Sequence, residues 1–132
     1  MVLILDTHAA IWYLLNSKEL SSTARNAVED AIRKGEDVFL SAISVVEAIY
    51  LVEGGRVPFQ ALQRLDAALG DPASGLIVTA VDAAVAEAVH KISRFSVPDM
   101  PDRIIGATAL HLKAPLVTRD RRLQSAGIET IW

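Results

Sequence analysis

Cysteine is absent from the sequence, which excludes thiol nucleophiles, disulfides, zinc ribbons and iron–sulfur ligation and makes a reducing cytoplasm the expected compartment. Long hydrophobic runs are missing as well. The N-terminal apolar stretch Val2–Leu5 stops at Asp6, far short of the roughly 20 residues of a spanning helix and without a basic flank, so neither a membrane anchor nor a secretion signal is expected. Nor is there an excess of positive charge: 13 Lys and Arg stand against 16 Asp and Glu, for a net charge of −3. Such a chain does not coat nucleic acid as a polycation, and any basic site must be local. A Gly-x-Ser-x-Gly elbow and a phosphate-cradling glycine-rich loop are both lacking, and the glycines read as helix stops and turns. The three histidines, His8, His90 and His111, fall in separate elements without metal-ligand spacing. Nucleophilic catalysis by a side chain is therefore poorly supported.

What remains is an alternation of short solid apolar runs with helical stripes, the pattern of an α/β domain. With 132 residues, 52% of them hydrophobic, a single domain over residues 1–132 with one core is expected. The runs Val2–Leu5, Val38–Leu40, Leu76–Val78, Leu116–Val117 and the weaker Thr130–Trp132 predict five short, buried, mainly parallel strands. Between them, Ser21 precedes a stripe from Ala24 to Ile32 closed by Gly35, and Ser44 with Glu47 reads as a capping box for a helix to about Glu53. Pro58 opens a helix toward Gly70, Asp82 caps one running to about Ile92, and Pro101 sits in the first turn of one reaching Leu112. The consecutive apolar residues Ile11 to Leu15 point to every side of a helix, so that helix is expected to be mainly core.

Acidic residues carry the functional signal. Asp6, Glu47, Asp82, Asp99, Asp102 and Asp120 all stand at strand ends or helix beginnings, where any one alone reads as a cap. An open parallel sheet in the order 3-2-1-4-5 gives the set more meaning, because ligands bind beyond the carboxyl ends where the order reverses, between strands 1 and 4. Asp6 and Asp120 follow those two strands, Asp99 and Asp102 open the helix leading into strand 4, and Glu47 lies just past strand 2. Asp82 follows strand 3, two strand spacings or about 9 to 10 Å from strand 1, and is expected to be a structural cap. Carboxylates about 5 Å apart repel by roughly 3 kcal/mol per pair at an effective dielectric near 20, so protons or cations must occupy such a site. All-oxygen ligation selects Mg²⁺ or Mn²⁺ over zinc, and such an ion near a substrate phosphate suits an in-line phosphodiester displacement by water. Arg103, Arg119, Arg121 and Arg122 are the basic neighbours available to phosphates.

At these residues the sequence resembles the PIN-domain family, and within it the VapC-type toxins of toxin–antitoxin pairs. The opening LILDTHAAIW, Leu3 to Trp12, carries the family's first acid on Asp6, and SAISVVEA, Ser41 to Ala48, places the second on Glu47. PDMPDRIIGATAL, Pro98 to Leu110, carries the third motif's acid on Asp102, with Asp99 three residues earlier, and LVTRDRRL, Leu116 to Leu123, carries Thr118 and Asp120. The resemblance implies a three-layer α/β/α domain with a central parallel sheet and a Mg²⁺- or Mn²⁺-dependent ribonuclease. It further implies Asp6, Glu47, Asp102 and Asp120 as the catalytic set and Asp6, Asp99, Asp102 and Asp120 around the metal. Thr118, Arg103, Arg119, Arg121 and Arg122 are the expected substrate contacts, and a homodimer neutralised by a VapB-type antitoxin is the expected assembly. A catalytically inactive PIN fold acting as a binding module is the alternative. A haloacid-dehalogenase-type phosphatase is less favoured, since that chemistry needs a second Asp where His8 stands.

Overall fold

In the computed structural model, which describes residues 1–132, the solid apolar runs form one five-stranded sheet. Its strands are β1 (Leu3–Leu5), β2 (Val38–Ser41), β3 (Leu76–Thr79), β4 (Leu116–Val117) and β5 (Thr130–Ile131). Every pairing is parallel and the order is β3-β2-β1-β4-β5, the order that puts the reversal between β1 and β4. Parallel neighbours need crossover connections, and helices supply them. Helices α1 (Thr7–Leu14) and α2 (Ser22–Arg33) join β1 to β2, and α3 (Ala42–Glu53) and α4 (Gln60–Leu69) join β2 to β3. Helices α5 (Ala83–Ala88) and α6 (Met100–Leu112) lead to β4, and α7 (Arg121–Gln124) to β5.

Side chains alternate across a strand, so the sheet divides the apolar interior in two, where the length had suggested one core. Leu3, Leu5, Val38, Leu40, Leu76 and Val117 pack with α1, α2 and α4 on one face. On the other face, Ile4 and Leu116 pack with α5, α6 and α7. The result is the three-layer α/β/α arrangement.

Several local expectations are corrected. The strands are not uniformly buried: β3 is a sheet edge, and Ile77 and Val78 stay 41% and 38% exposed. The N-cap of α3 is Ser41, three residues before Ser44, its Oγ accepting from the Ile43 amide at 3.2 Å. Ser44 is thereby inside the helix, its hydroxyl available for another partner. Helix α5 gives way at Val89 to a 3₁₀ turn, short of Ile92. Gly106 is no helix stop. It lies within α6, and a Cβ there would come 2.5 Å from Ile92 Cδ1 and 2.9 Å from Ile128 Cδ1, so the missing side chain admits close packing between elements. In α1, Ile11 is buried as expected, but Trp12 to Leu15 are only half-buried.

Candidate active site

The carboxyl ends of β1 and β4 carry the centre of the site. Asp6 leaves β1 as the N-cap of α1, its Oδ1 accepting from the Ala9 amide at 2.8 Å. Its Oδ2 accepts from the Thr118 hydroxyl at the end of β4. Thr118 is fully buried, and its Oγ1 also accepts from the Asp120 amide at 3.0 Å. The structure therefore places the Thr118 hydroxyl, expected at the substrate, in contact with Asp6 and the Asp120 amide. Asp120 in turn caps α7, accepting from the Arg122 amide at 2.8 Å.

Two more helices complete the cluster. Glu47, one turn into α3, accepts from the Thr7 hydroxyl at 2.5 Å, and Thr7 Oγ1 is 2.9 Å from Ser44 Oγ. Asp99 caps α6 by accepting from the Asp102 amide at 3.1 Å, and Asp102 sits half-buried in that helix's first turn. Asp6, Glu47, Asp99, Asp102 and Asp120 share one cavity of about 390 Å³ with Thr7, His8, Trp12 and Arg119. Asp82 caps α5, accepting from the Val85 amide at 3.0 Å, and stands outside that cavity.

The electrostatics follow from this crowding. Burial pushes the Asp6 carboxyl above its ordinary range, against the hydrogen bonds from Thr118 and Ala9, which favour the charged form. Asp102 is pushed up to about 7, first by burial and then by the charges of Asp99, Asp120, Glu47 and Asp6. Four carboxylates thus act on a fifth, a field that a cation relieves. The donor chemistry fits a hard divalent ion, since every candidate ligand is a carboxylate oxygen. No three of these side chains close on one point tightly enough to enclose an ion by themselves. Mg²⁺ does not ask for that, because it keeps several waters and takes one or two carboxylates together with substrate phosphate.

The expected basic residues separate. Arg119 lines the cavity. Arg121 and Arg122 are exposed in the first turn of α7, beside Asp120 but not lining it. Arg103 departs from expectation: its guanidinium donates to the carbonyl of Ile92 at 2.9 Å and of Val89 at 3.2 Å, holding the 3₁₀ turn against α6. Its Nε and one terminal nitrogen are thus engaged by backbone, away from the carboxylates of the cavity. Sequence reasoning missed Thr7 and Ser44, whose signal was only their position next to Asp6 and one turn before Glu47. It also placed Trp12 in the core.

Comparison with known proteins agrees with this architecture. The family model for the PIN domain matches residues 3–129. The chain is 31% identical over 127 residues to Ribonuclease VapC22 of Mycobacterium tuberculosis, covering 92% of this chain and 89% of that protein. Among solved structures, VapBC2 from Rickettsia felis bound to a promoter DNA fragment superposes with a TM-score of 0.73 at 19% identity, covering 98% of this chain and 97% of that one. A toxin–antitoxin complex from Klebsiella pneumoniae gives 0.69 at 20% identity, covering 98% and 96%. At those identities the structural likenesses speak for the fold.

Proposed function

The chain belongs to the PIN-domain family, and from that premise we propose that it is an endoribonuclease dependent on Mg²⁺ or Mn²⁺, the toxin of a toxin–antitoxin pair. The observation that carries this reading is the gathering of five carboxylates from four segments of the chain into one cavity where the strand order reverses. The identity to a ribonuclease over most of the chain supports the substrate class.

Asp6, Asp99, Asp102 and Asp120 would surround the ion, one or two of them binding it directly and the others through its waters, and the ion would supply Lewis acidity toward the phosphodiester and lower the pKa of the attacking water. The chain's own groups do the rest. Thr118 and the Ala9 amide fix the Asp6 carboxylate so that it cannot turn away. Glu47 has Oε1 engaged by Thr7, which leaves Oε2 to orient the attacking water and accept its proton. Asp102 would serve the ion in its charged form, which the neighbouring carboxylates disfavour and a cation would favour. Arg121 and Arg122, exposed on α7, suit phosphates flanking the scissile bond.

Assembly has its own surface. Val46, Ile49 and Tyr50 on α3 are 46%, 37% and 72% exposed, and Phe59, just before α4, is 62% exposed. This apolar face suits a second copy of the chain and an amphipathic segment of a cognate VapB-type antitoxin, one of whose Arg or Lys side chains enters the acid cavity in place of the metal. The ribonuclease reading is tested by incubating the purified protein with total RNA in Mg²⁺. Cleavage abolished by chelator and lowered at least about 100-fold by Asp6→Asn supports it. Cleavage indifferent to both, or none with a folded protein freed of its antitoxin, contradicts it. Sequencing RNA ends after brief induction in a host cell identifies the target.

A further inference from the structure

Three residues of the cavity have no part in metal chemistry: His8, Trp12 and Arg119. Trp12 is the one hydrophobic residue among the nine that line it. His8 and Trp12 are one helical turn apart on α1, so they share a face, and their ring centroids are 5.4 Å apart. Trp132 supports Trp12 at 6.0 Å. Arg119 Cζ lies 4.4 Å over the Trp12 ring, and its guanidinium is anchored to Glu19 at 2.8 Å. The Arg119 side chain nonetheless remains 54% exposed, so the stack is open to a ligand.

As a device for stability the arrangement is weak, because exposed ion pairs and exposed cation–π contacts contribute little. Trp12 is half-buried and His8 exposed, so part of this aromatic surface faces the cavity beside the carboxylates. Both segments that carry the stack also carry the carboxylates: α1 starts at Asp6, and Arg119 stands between Thr118 and Asp120. The stack is therefore held in fixed register with the acid cluster, and it brings the cavity's one arginine with it. Single-stranded RNA presents unstacked bases beside each phosphate, and proteins hold such bases on aromatic rings and guanidinium planes.

We infer that His8, Trp12 and Arg119 form a stacking platform for a nucleobase of single-stranded RNA, set beside the phosphodiester held at the carboxylates. The inference rests on the ribonuclease reading and adds how the strand is positioned. Because every base has a π face, the platform contributes affinity with little sequence preference.

The test uses Trp132→Phe, which leaves Trp12 as the sole tryptophan, combined with Asp102→Asn to suppress cleavage, in Mg²⁺ at low salt. A 12-nucleotide adenosine RNA and an abasic ribose-phosphate 12-mer are titrated, with Trp12 emission and the anisotropy of end-labelled oligomer followed in parallel. The adenosine oligomer is expected to quench Trp12 while the abasic one binds without quenching. His8→Ala, and Arg119→Lys, which keeps the charge but loses the plane, should each weaken adenosine binding at least about fivefold and leave abasic binding unchanged. Adenosine binding without quenching, quenching equal with the abasic oligomer, or undiminished binding in both variants overturns the platform while sparing the ribonuclease reading. Failure of both oligomers to bind removes RNA as the ligand of this cavity, and the platform with it.

Discussion

The Thr7 hydroxyl donates to Glu47 Oε1 at 2.5 Å, tying the first turn of α1 to α3 across 40 residues of sequence. Thr7 is buried, and Ser44 Oγ lies 2.9 Å from the same oxygen, so removing the hydroxyl strands two partners. Thr7→Val is expected to cost about 1–2 kcal/mol of stability and to lower RNA cleavage about 10- to 100-fold through a misdirected Glu47. Thr7→Ser should retain most of both. Denaturant unfolding and single-turnover cleavage, measured together, separate the two effects.

Without metal, the acid cluster sets the pH dependence of stability. Asp102 has a folded pKa of about 7 against an ordinary 3.8, so it holds its proton more tightly folded than unfolded. Its contribution to stability is present below about pH 4 and is lost as pH rises toward 7. Asp6, also raised by burial, acts with the same sign. Thermal melts in chelator should therefore show the wild type losing stability from pH 4 to 7. Asp102→Asn should flatten part of that fall and be at least as stable as wild type at pH 7.

Divalent metal should reverse the trend. Binding only the folded state stabilises it by about 2.7 kcal/mol at 100 times the dissociation constant, and a cation competes with the proton that Asp102 holds up to about pH 7. Mg²⁺ or Mn²⁺ should therefore raise the melting temperature more at pH 8 than at pH 6, and chelator should cancel the rise. Calorimetry in buffers of different ionisation enthalpy checks that protons leave on binding.

Arg103 is expected to matter for folding and not for chemistry. Its guanidinium serves two backbone carbonyls, one of them on fully buried Ile92. Arg103→Gln should cost about 1–3 kcal/mol, while cleavage per folded molecule and the Mg²⁺-induced rise in melting temperature stay within a few fold of wild type.

The strands and the acids that follow them were legible in the sequence because both are written locally: solid apolar runs mark parallel strands, and an acid directly after a run marks a strand's carboxyl end, whereas the strand order was supposed from doubly wound sheets and the structure has that order. What the sequence concealed depended on tertiary partners. Ser44 looked like a cap because Ser-x-x-Glu is a cap pattern, but Ser41 took that role and left Ser44 to Thr7. Thr118 was expected at the substrate from the family's Thr-x-Asp motif, and Arg103 as a basic neighbour of the acids. Their hydroxyl and guanidinium are turned inward to Asp6 and to the Ile92 carbonyl. Trp12 lies within an apolar run that predicts burial, and only the approach of Arg119 from the end of β4 marks it as part of the cavity wall.

The central claim is that water attacks the phosphodiester at the carboxylate cluster, and the chemistry of the product ends tests it most directly. No pair of histidines is placed to drive attack by the ribose 2′-hydroxyl, since His8 alone lines the cavity. Products of wild-type cleavage in Mg²⁺ should therefore carry a 5′-phosphate and a 3′-hydroxyl, and should vanish with Asp6→Asn. A 2′,3′-cyclic phosphate, or unchanged products from the Asp6→Asn protein, would contradict the account.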